Sequence, residues 1–502
     1  MSVVPAPTGG GAPGEKGLKT GAIGFISGVV IGVASTAPGY SLAATLGFVA
    51  IAVGFQAPAI MLLAFVPMLF TAAAYYYLNR ADPDCGTTFS WGTRALGPWA
   101  GWIGGWAIIV ADIVVMANLA AIAGSYSYLL VGAEGAADNS RAVLVIGVLW
   151  IALMTLICYV GIELSAKTQW YLLSAELITL AAFAVVALVR IGVEDVPGEV
   201  TPSFDWINPF AIDSWSALAS GLILAIFIYW GWDSTVTVNE EMTDSRTSPG
   251  KAAVVSTIVL VTIYVLVSIA AQAYHGVDFL AADENAADVL GALAGDVFGS
   301  PLDKLLIIAV LTSAAASTQT TILPTTRTAL SMAAKGAAPR YFARVHDRHL
   351  TPSTATIWMG ALSIAWYVGL TLISENTLFD GLLTLGLMIA FYYGLTAIAC
   401  VVYFRRRLLE SVRAFVLMGV APLVGAAILA WAFVKSIIDL SDPANSESGE
   451  SWFGLGPPLV IAIFFALLGI VLMLLQWRAD PSFFRRRVEV APAGDEAALE
   501  PS

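Results

Sequence analysis

The chain has 502 residues, of which 58% are hydrophobic and only 12% are Asp, Glu, Lys or Arg. Soluble globular chains carry about 25% charged residues, so this composition excludes a water-soluble protein. The apolar runs are long and continuous, whereas the strands of a transmembrane barrel alternate in polarity. We therefore predict an all-α polytopic membrane protein.

The net charge of -12 arises mainly from acidic residues in predicted loops and in the C-terminal tail, and it gives no support to nucleic-acid binding. Three cysteines predict no disulfide framework. The sequence carries neither a hydrolase-type grouping of Ser, Cys and His nor a phosphate-binding glycine loop. We expect no enzyme activity and no cofactor, so the energy for any transport must come from an ion gradient.

Apolar runs separated by Gly, Pro and charged clusters predict twelve transmembrane helices. The first six are expected at 20–49, 56–77, 98–131, 142–162, 168–189 and 214–242. The other six are expected at 252–274, 302–325, 356–373, 378–404, 415–438 and 458–477. The flanking tails, residues 1–19 and 479–502, are rich in Pro, Gly, Ala and charge and are predicted to be disordered.

The distribution of lysine and arginine along this series of helices predicts the orientation. Most of these residues fall on the side of both tails, including the runs 405–407 and 485–487. The opposite side receives only Arg141, Arg190, Lys304 and Lys435. Because positive charge concentrates in cytoplasmic loops, we predict a multi-pass protein of the plasma (inner) membrane with both termini in the cytoplasm.

Two predicted helices contain residues that interrupt a helix at membrane depth. In the first helix, Pro38 lacks a backbone donor and disfavours helical geometry at the preceding residue, while Gly39 can turn with positive φ. In the sixth helix, a break is expected at 229–234, around Gly231 and Asp233. Free backbone groups at this depth are tolerated only where they line a cavity, so paired breaks in corresponding halves point to a binding site.

These features resemble the amino acid, polyamine and organocation (APC) superfamily of transporters. The sixth helix of that family typically carries an aromatic residue, a spacer, Gly-Phe-Asp and a glutamate pair, and the eighth helix is often followed by Arg, Met-Ala and Gly-x-x-Pro. The matching residues are Tyr229, Gly231, Trp232, Asp233, Glu240, Glu241, Arg327, Met332, Ala333, Gly336 and Pro339. The resemblance implies a leucine-transporter-type fold: a ten-helix core at 20–407, with inverted repeats at about 20–190 and 214–407, and two peripheral helices at 408–478.

The resemblance also implies a small substrate clasped between broken helices one and six. Its carboxylate is expected on backbone donors of the first break, and its amino group on free carbonyls of the sixth helix. The expected substrate-binding residues are Ser35, Thr36, Ala37, Gly39, Tyr40, Phe227, Tyr229, Trp230, Trp232 and Asp233. Pro38 departs from the Gly-rich family pattern, but a proline fits the first turn of a helix. Trp230 is expected to set selectivity, and Asp233 matches a position usually regarded as structural.

The sequence is compatible with two mechanisms of ion coupling, one by protons and one by sodium. Glu176 is a lone carboxyl in the fifth predicted span, and ionisable groups inside spans suggest a function, here the carrying of a proton. The alternative is a structural carboxylate that is hydrogen-bonded by its neighbours. The same two interpretations apply to Asp112. A lysine near the position of Glu176 lies close to the first break in some proton-coupled relatives. In sodium-driven relatives two hydroxyls of helix eight complete an oxygen cage, for which Thr312 and Ser313 are the candidates.

The residues Glu240, Glu241 and Arg327 are expected to form a cytoplasmic gate. Together, these features predict a secondary active transporter that imports an amino acid or related organic amine by proton-coupled symport. Its expected partners are the small-molecule substrate, a proton or sodium ion, and membrane lipid. The alternatives are a polyamine or amine exchanger, a sodium-coupled symporter, and a sensor or channel of the same fold without coupled turnover.

Overall fold

The computed structural model describes residues 16–373, 377–446, 448–489 and 491, and this part of the chain is helical with no β-strand. The helices of the first half are α1 (Phe25–Ser35), α2 (Pro38–Val53), α3 (Ala57–Ala81), α4 (Thr88–Leu96), α5 (Pro98–Leu130), α6 (Glu134–Ala137), α7 (Ser140–Val160), α8 (Ile162–Val193), α9 (Trp215–Ile228) and α10 (Ser234–Thr237). The predictions for residues 1–15, 490 and 492–502 lie outside the described residues.

The second half begins after a short 3₁₀ turn at Asn239–Glu241. Its helices are α11 (Ser248–Ala281), α12 (Val289–Phe298), α13 (Lys304–Ala334), α14 (Ser353–Ile373), α15 (Thr377–Phe404), α16 (Val412–Ala414), α17 (Ala421–Leu440) and α18 (Pro457–Ala479). A π-helical turn at Phe415–Val420 joins α16 to α17. The predicted all-α class is therefore confirmed.

Ten helical stretches of the described residues are long and apolar enough to cross a membrane. The first of them, Phe25–Ala81, includes the interruption between α1 and α2 and runs on into α3. Helix α9 is apolar but shorter, with 14 residues, and stands before the second interruption. A multi-pass membrane protein follows from these lengths, because each span of the hydrocarbon core requires about 20 apolar residues.

Burial separates central helices from peripheral ones. Helices α5 and α13 are the most buried of the candidate spans and pack extensively on each other. Helices α7 and α18 instead expose rows of apolar side chains, such as Leu149, Leu153 and Leu156 on α7. Apolar residues on the outside of a bundle are suited to contact with lipid tails, whereas α5 and α13 lie at its centre. Of these two, α13 also packs against α1, α2 and α10 of the interrupted helices.

Helices α4, α6 and α12 were not predicted from the sequence, and several predicted helices differ in length from those observed. Helix α4 lies in the connector after α3, and α12 lies in a predicted loop. Helix α8 is longer than the predicted 168–189, because its polar first turns also form helix. The second half of predicted helix six shrinks to the four residues of α10 and a 3₁₀ turn.

Parts of both predicted disordered tails are ordered. The Lys16 side chain is largely buried beside Asp84 and Glu240. At the other end, Phe483 stacks on Phe89 with ring centroids 5.5 Å apart, and Phe484 lies 4.6 Å from Trp99. The prediction of disorder is thus wrong for residues 16–19 and 479–489, because charged and aromatic side chains in a polar stretch still find partners on the bundle.

Candidate functional site

The first interruption lies between Ser35, the last residue of α1, and Pro38, the first of α2. Ala37 adopts the left-handed conformation, with φ 47° and ψ 61°. We expected Gly39 to supply the positive φ, but Gly39 lies within helix α2 and Ala37 makes the turn instead. The break is held locally by two hydroxyls, since Thr36 Oγ1 donates to Val33 O and Ser41 Oγ donates to Thr36 O, each at 2.7 Å.

The first turn of α2 is bound by side chains from two other helices. The Gly39 amide donates to Glu176 Oε1 of α8 at 2.7 Å, and the Tyr40 amide donates to Ser313 Oγ of α13 at 3.1 Å. Glu176 is fully buried, and no described residue donates a hydrogen bond of ordinary geometry to its Oε2. Glu176 is therefore brought directly to the break, by an interaction that the sequence alone did not reveal.

The second interruption separates α9 from α10 across residues 229–233. Gly231 has φ 117°, and a Cβ atom there would lie 2.6 Å from the carbonyl oxygen of Ser35. The two interruptions therefore touch each other through their backbones. A hydrogen bond of 2.7 Å between Ser35 Oγ and Ser234 Oγ, and one of 2.9 Å from Ser317 Oγ to Ser35 O, complete this junction.

Asp233 is surrounded by phenol groups rather than by cations. Tyr393 OH donates to Oδ1 at 2.8 Å, and Tyr392 and Tyr75 hydroxyls approach Oδ2 at 3.3 and 3.5 Å. These tyrosines belong to α15 and α3, so the carboxylate ties two other helices to the second interruption. Both oxygens of Asp233 therefore accept hydrogen bonds from tyrosines of the surrounding helices.

Three of the four aromatic residues predicted to line a pocket are packed against other side chains and backbone groups. Tyr229 OH donates to Met61 O at 3.0 Å, and the Trp230 indole N–H donates to Tyr392 OH. Trp232 packs against Tyr75 and Tyr393 with centroids 5.1 Å away from each. These three side chains are buried in packing around the breaks.

A cavity of about 560 Å³ lies between α2, α9, α15 and α17. Of the aromatic residues predicted to wall a pocket, it contacts only Phe227, which lies just before the second interruption. Its walls otherwise include Thr45, Phe48, Ala390 and Lys435. The cavity is large enough for an amino acid and ends beside the second interruption.

The two hydroxyls predicted for sodium are not brought together. Thr312 Oγ1 donates to carbonyls of its own helix, Ile308 O at 2.8 Å and Ala309 O at 3.1 Å. Ser313 accepts the Tyr40 amide, and it is Ser317 that reaches a carbonyl of the first interruption. The structure thus brings Ser313 and Ser317 of α13 to the residues around the first break, but not Thr312.

The charged residues predicted as a gate, Glu240, Glu241 and Arg327, lie at one end of the bundle together with Lys16, Asp84 and Lys335. We call this cluster of six residues the Lys16 end. Arg327 is fully buried and pairs with both carboxylate oxygens of Glu241, at 2.9 and 3.0 Å. Glu240 pairs instead with Lys16 at 2.6 Å. Arg246 donates to a backbone carbonyl, Arg80 O, rather than to the glutamates.

Sequence reasoning missed Lys16, Asp84 and Lys335 as members of this cluster. Asp84 lies 2.8 Å from the ammonium groups of both lysines. Burial alone would raise the pKa of Asp84, but the two ammonium groups outweigh it and hold the pKa well below its ordinary value. Asp84, Cys85 and Glu240 lie close enough together to hold a metal ion, but the Lys16 ammonium already contacts all three. The sequence offered one signal for the missed members of the cluster: basic residues in the N-terminal tail could pair with acidic residues in the connector after α3.

Interrupted helices that meet inside a bundle of apolar spans are typical of membrane transport proteins in which backbone groups at the breaks line the path. Comparison with known proteins agrees with this class. A family model described as amino acid permease matches residues 20–465. The chain therefore belongs to the amino acid permease family of the APC superfamily, and the resemblance drawn from the sequence is confirmed.

The individual relatives have low sequence identity to this chain, between 24% and 27%. An uncharacterised transporter of Mycobacterium tuberculosis is 27% identical over 344 residues, which cover 68% of this chain and 72% of the relative. A branched-chain amino acid permease of Lactococcus lactis is 24% identical over 68% of this chain and 74% of its own length. An arginine/ornithine antiporter of Latilactobacillus sakei is 24% identical over 62% of this chain and 65% of its own. Together with the family match, they support an amino acid transporter.

Proposed function

We propose that the protein is a secondary active transporter that imports an amino acid or a related organic amine across the plasma membrane by symport with protons. The observation that carries this proposal is the hydrogen bond of 2.7 Å between the Gly39 amide and Glu176. It couples a titratable group to the interruption at which a substrate would be held. The names of the relatives support amino acids as the substrate class.

The proposed architecture has twelve spans. Helices α1 with α2, and α9 with α10, would each make one interrupted span, and the other spans would be α3, α5, α7, α8, α11, α13, α14, α15, α17 and α18. In this arrangement residues 20–190 and 214–407 are inverted repeats of five spans, 408–478 add two peripheral spans, and both termini are cytoplasmic. The equivalent places of the two interruptions in their halves support the repeat.

In the proposed site the substrate lies between the two interruptions and enters from the cavity that ends at Phe227. Ser35, Thr36, Ala37, Gly39 and Tyr40 would supply the first wall, and Tyr229, Trp230 and Trp232 the second. Asp233 would hold the second wall in shape through its tyrosine partners. The Lys16 end, with Arg327 and Glu241 buried together, would form the closed cytoplasmic gate.

The proposal is tested by uptake into proteoliposomes with an imposed pH gradient, after a thermal-shift screen of the twenty amino acids. Glu176→Gln should abolish accumulation driven by the gradient, because an amide cannot take up the proton, while exchange of labelled substrate continues. The amide oxygen of Gln can still accept from Gly39, so the fold should persist. Glu163→Gln, a change at an exposed site on the same helix, serves as the matched control and should behave as wild type.

Three outcomes would contradict the proposal. Glu176→Gln vesicles that still accumulate substrate in proportion to the pH gradient would remove the proton from this residue. Uptake by wild type that stops on removal of sodium alone would favour the sodium-coupled alternative, with Ser313 and Ser317 as the hydroxyls nearest the first interruption. The relative named as an antiporter favours a test for exchange as well, and uptake that requires a counter-substrate inside the vesicle would assign the exchanger.

A further inference from the structure

The first turn of α2 is a helix N-terminus, which is a place where anions bind, and the Glu176 side chain of the protein occupies it. Helix N-termini carry a partial positive charge and unpaired N–H groups, which together attract carboxylates. Pro38 has no N–H, the Gly39 amide donates to Glu176, the Tyr40 amide to Ser313, and the Ser41 amide to Ala37 O at 2.8 Å. In this state none of these four residues offers a free amide.

The Glu176 carboxylate at this position lacks a hydrogen bond on one of its two oxygens. Helix α2 has 16 residues, so its terminal dipole is fully developed, yet only one oxygen of Glu176 is used. The second oxygen, Oε2, is buried and has no hydrogen-bond partner of ordinary geometry among the described residues. A buried charged oxygen without a partner is costly, so the Glu176 carboxylate is an exchangeable occupant of the Gly39 amide rather than an optimised cap.

We propose that Glu176 is an internal competitor for the carboxylate group of the transported substrate. This inference rests on the proposed function and narrows its substrate class to amines that also bear a carboxylate. The substrate carboxylate displaces Glu176 from the Gly39 amide, and Glu176 takes one proton from the aqueous phase as it is displaced. Two adjacent carboxylates cannot both remain charged beside one helix terminus, so proton and carboxylate bind together.

The surroundings of Glu176 leave few other groups that could take this proton. Helix α1 carries no acidic or basic residue, and α2 contributes only the phenol of Tyr40. Helix α13 presents the Ser313 hydroxyl, and α11 presents the phenol of Tyr264. Tyr264 already donates to Ile228 O at 2.5 Å. The acidic and basic residues of α8 itself, Glu163, Lys167 and Arg190, lie toward its two ends.

The test compares ligands that differ only in the carboxylate. Leucine with 3-methylbutylamine, and arginine with agmatine, form two such pairs. Calorimetric titration of the purified full chain in buffers of different ionisation enthalpy measures the protons taken up per ligand bound. Above the pH at which Glu176 ionises in the ligand-free protein, we expect about one proton per amino acid and about none per amine, and an affinity for the amino acid that weakens by about tenfold per pH unit.

Two variants keep the test independent of folding. Glu176→Gln retains an acceptor for Gly39, and Glu176→Ala leaves that amide free. Both should bind the amino acid without proton uptake and with an affinity that no longer changes with pH, and Glu176→Ala should bind it at least tenfold more tightly than wild type at alkaline pH. Both variants should still bind the amine, which shows that the protein is folded.

The outcomes separate this inference from the function on which it rests. Amino acid binding by wild type without proton uptake, or proton uptake that persists in Glu176→Gln, would overturn the competition while leaving a transporter of amino acids. Binding of the amines with no binding of any of the twenty amino acids would overturn both the competition and the narrowed substrate class, while leaving the proposed function. Binding of neither amino acids nor amines would overturn the proposed function and this inference with it.

Discussion

The two glycines at the interruptions serve different physical needs. Gly231 has φ 117° and lies so near Ser35 that an added Cβ would overlap its carbonyl oxygen at 2.6 Å. Gly39 is helical, and an added Cβ would lie 3.4 Å from Ala309 O, Glu176 Oε1 and Ser313 Cβ. Gly231 is therefore required by backbone conformation and contact, whereas Gly39 leaves room for one methyl group and no more.

This difference predicts that two matched glycine-to-alanine substitutions have unequal effects on the free energy of unfolding. Gly231→Ala should cost about 1–3 kcal/mol from backbone strain alone, with a further cost from overlap with Ser35. Gly39→Ala should leave stability within about 1 kcal/mol of wild type, because alanine favours helix by a similar amount. Thermal unfolding of the purified protein measures both. Equal unfolding temperatures for the two variants would show that the interruptions do not touch as described.

At the scale of elements, a charged cluster joins the N-terminal segment, the connector between α3 and α4, and the ends of α10 and α13. Asp84 is its centre: beyond its two lysine partners, its Oδ1 accepts from Ser90 Oγ and Ser331 Oγ, each at 2.6 Å. The N-terminal segment is thus held against elements far away in sequence. Ile23 adds backbone bonds to Glu241 O at 3.1 Å and from the Thr243 amide at 2.9 Å.

The cluster predicts an acid-dependent loss of stability. The pKa of Asp84 is lowered in the folded state, so its contribution is present above the unfolded pKa of about 3.9 and disappears as the pH falls through the folded value. Asp84→Asn should therefore cost about 3 kcal/mol near neutral pH, because a buried ion pair loses one partner. The difference from wild type should shrink progressively below about pH 3.9.

Unfolding temperatures between pH 3 and pH 8 would check this prediction. Asp213→Asn provides the control, since Asp213 is exposed in a connector far from the cluster. A stability difference between wild type and Asp84→Asn that stayed constant down to the lowest pH would mean that the carboxylate charge does not matter.

For the whole molecule, orientation in the membrane is a prediction from the charge distribution. Glu284 and Arg406 are both exposed and lie on opposite sides of the predicted topology. Asn285 is a poorer probe, because its side chain donates to Phe279 O. The three native cysteines, Cys85, Cys158 and Cys400, are buried and should react slowly with a water-soluble maleimide.

Cysteine introduced at Glu284 should therefore be labelled from outside intact cells, and cysteine at Arg406 only after the membrane is opened. The wild-type chain, with its buried thiols, gives the background. Labelling of both positions from the same side would contradict the three spans, α13, α14 and α15, that are predicted between them, because an odd number of spans places two loops on opposite faces of the membrane.

Much of the architecture could be predicted because its causes are local. Apolar composition indicated membrane helices, and Pro38 and Gly231 marked the interruptions, which the structure places at 36–37 and 229–233. Backbone conformation at such residues depends on their own side chains and immediate neighbours. The family could also be recognised, since its motif lies around Gly231 and Asp233. The twelve-span inverted repeat stays a prediction.

The tertiary structure decided which side chains meet at the breaks. No local pattern pairs Glu176 with the Gly39 amide, Lys16 with Glu240, or Ser317 rather than Thr312 with the first interruption. These contacts join residues that are more than a hundred positions apart, and they depend on how helices rotate and cross when they pack. Polarity along the chain determines where helices form and break, whereas packing determines which polar group satisfies which free backbone atom.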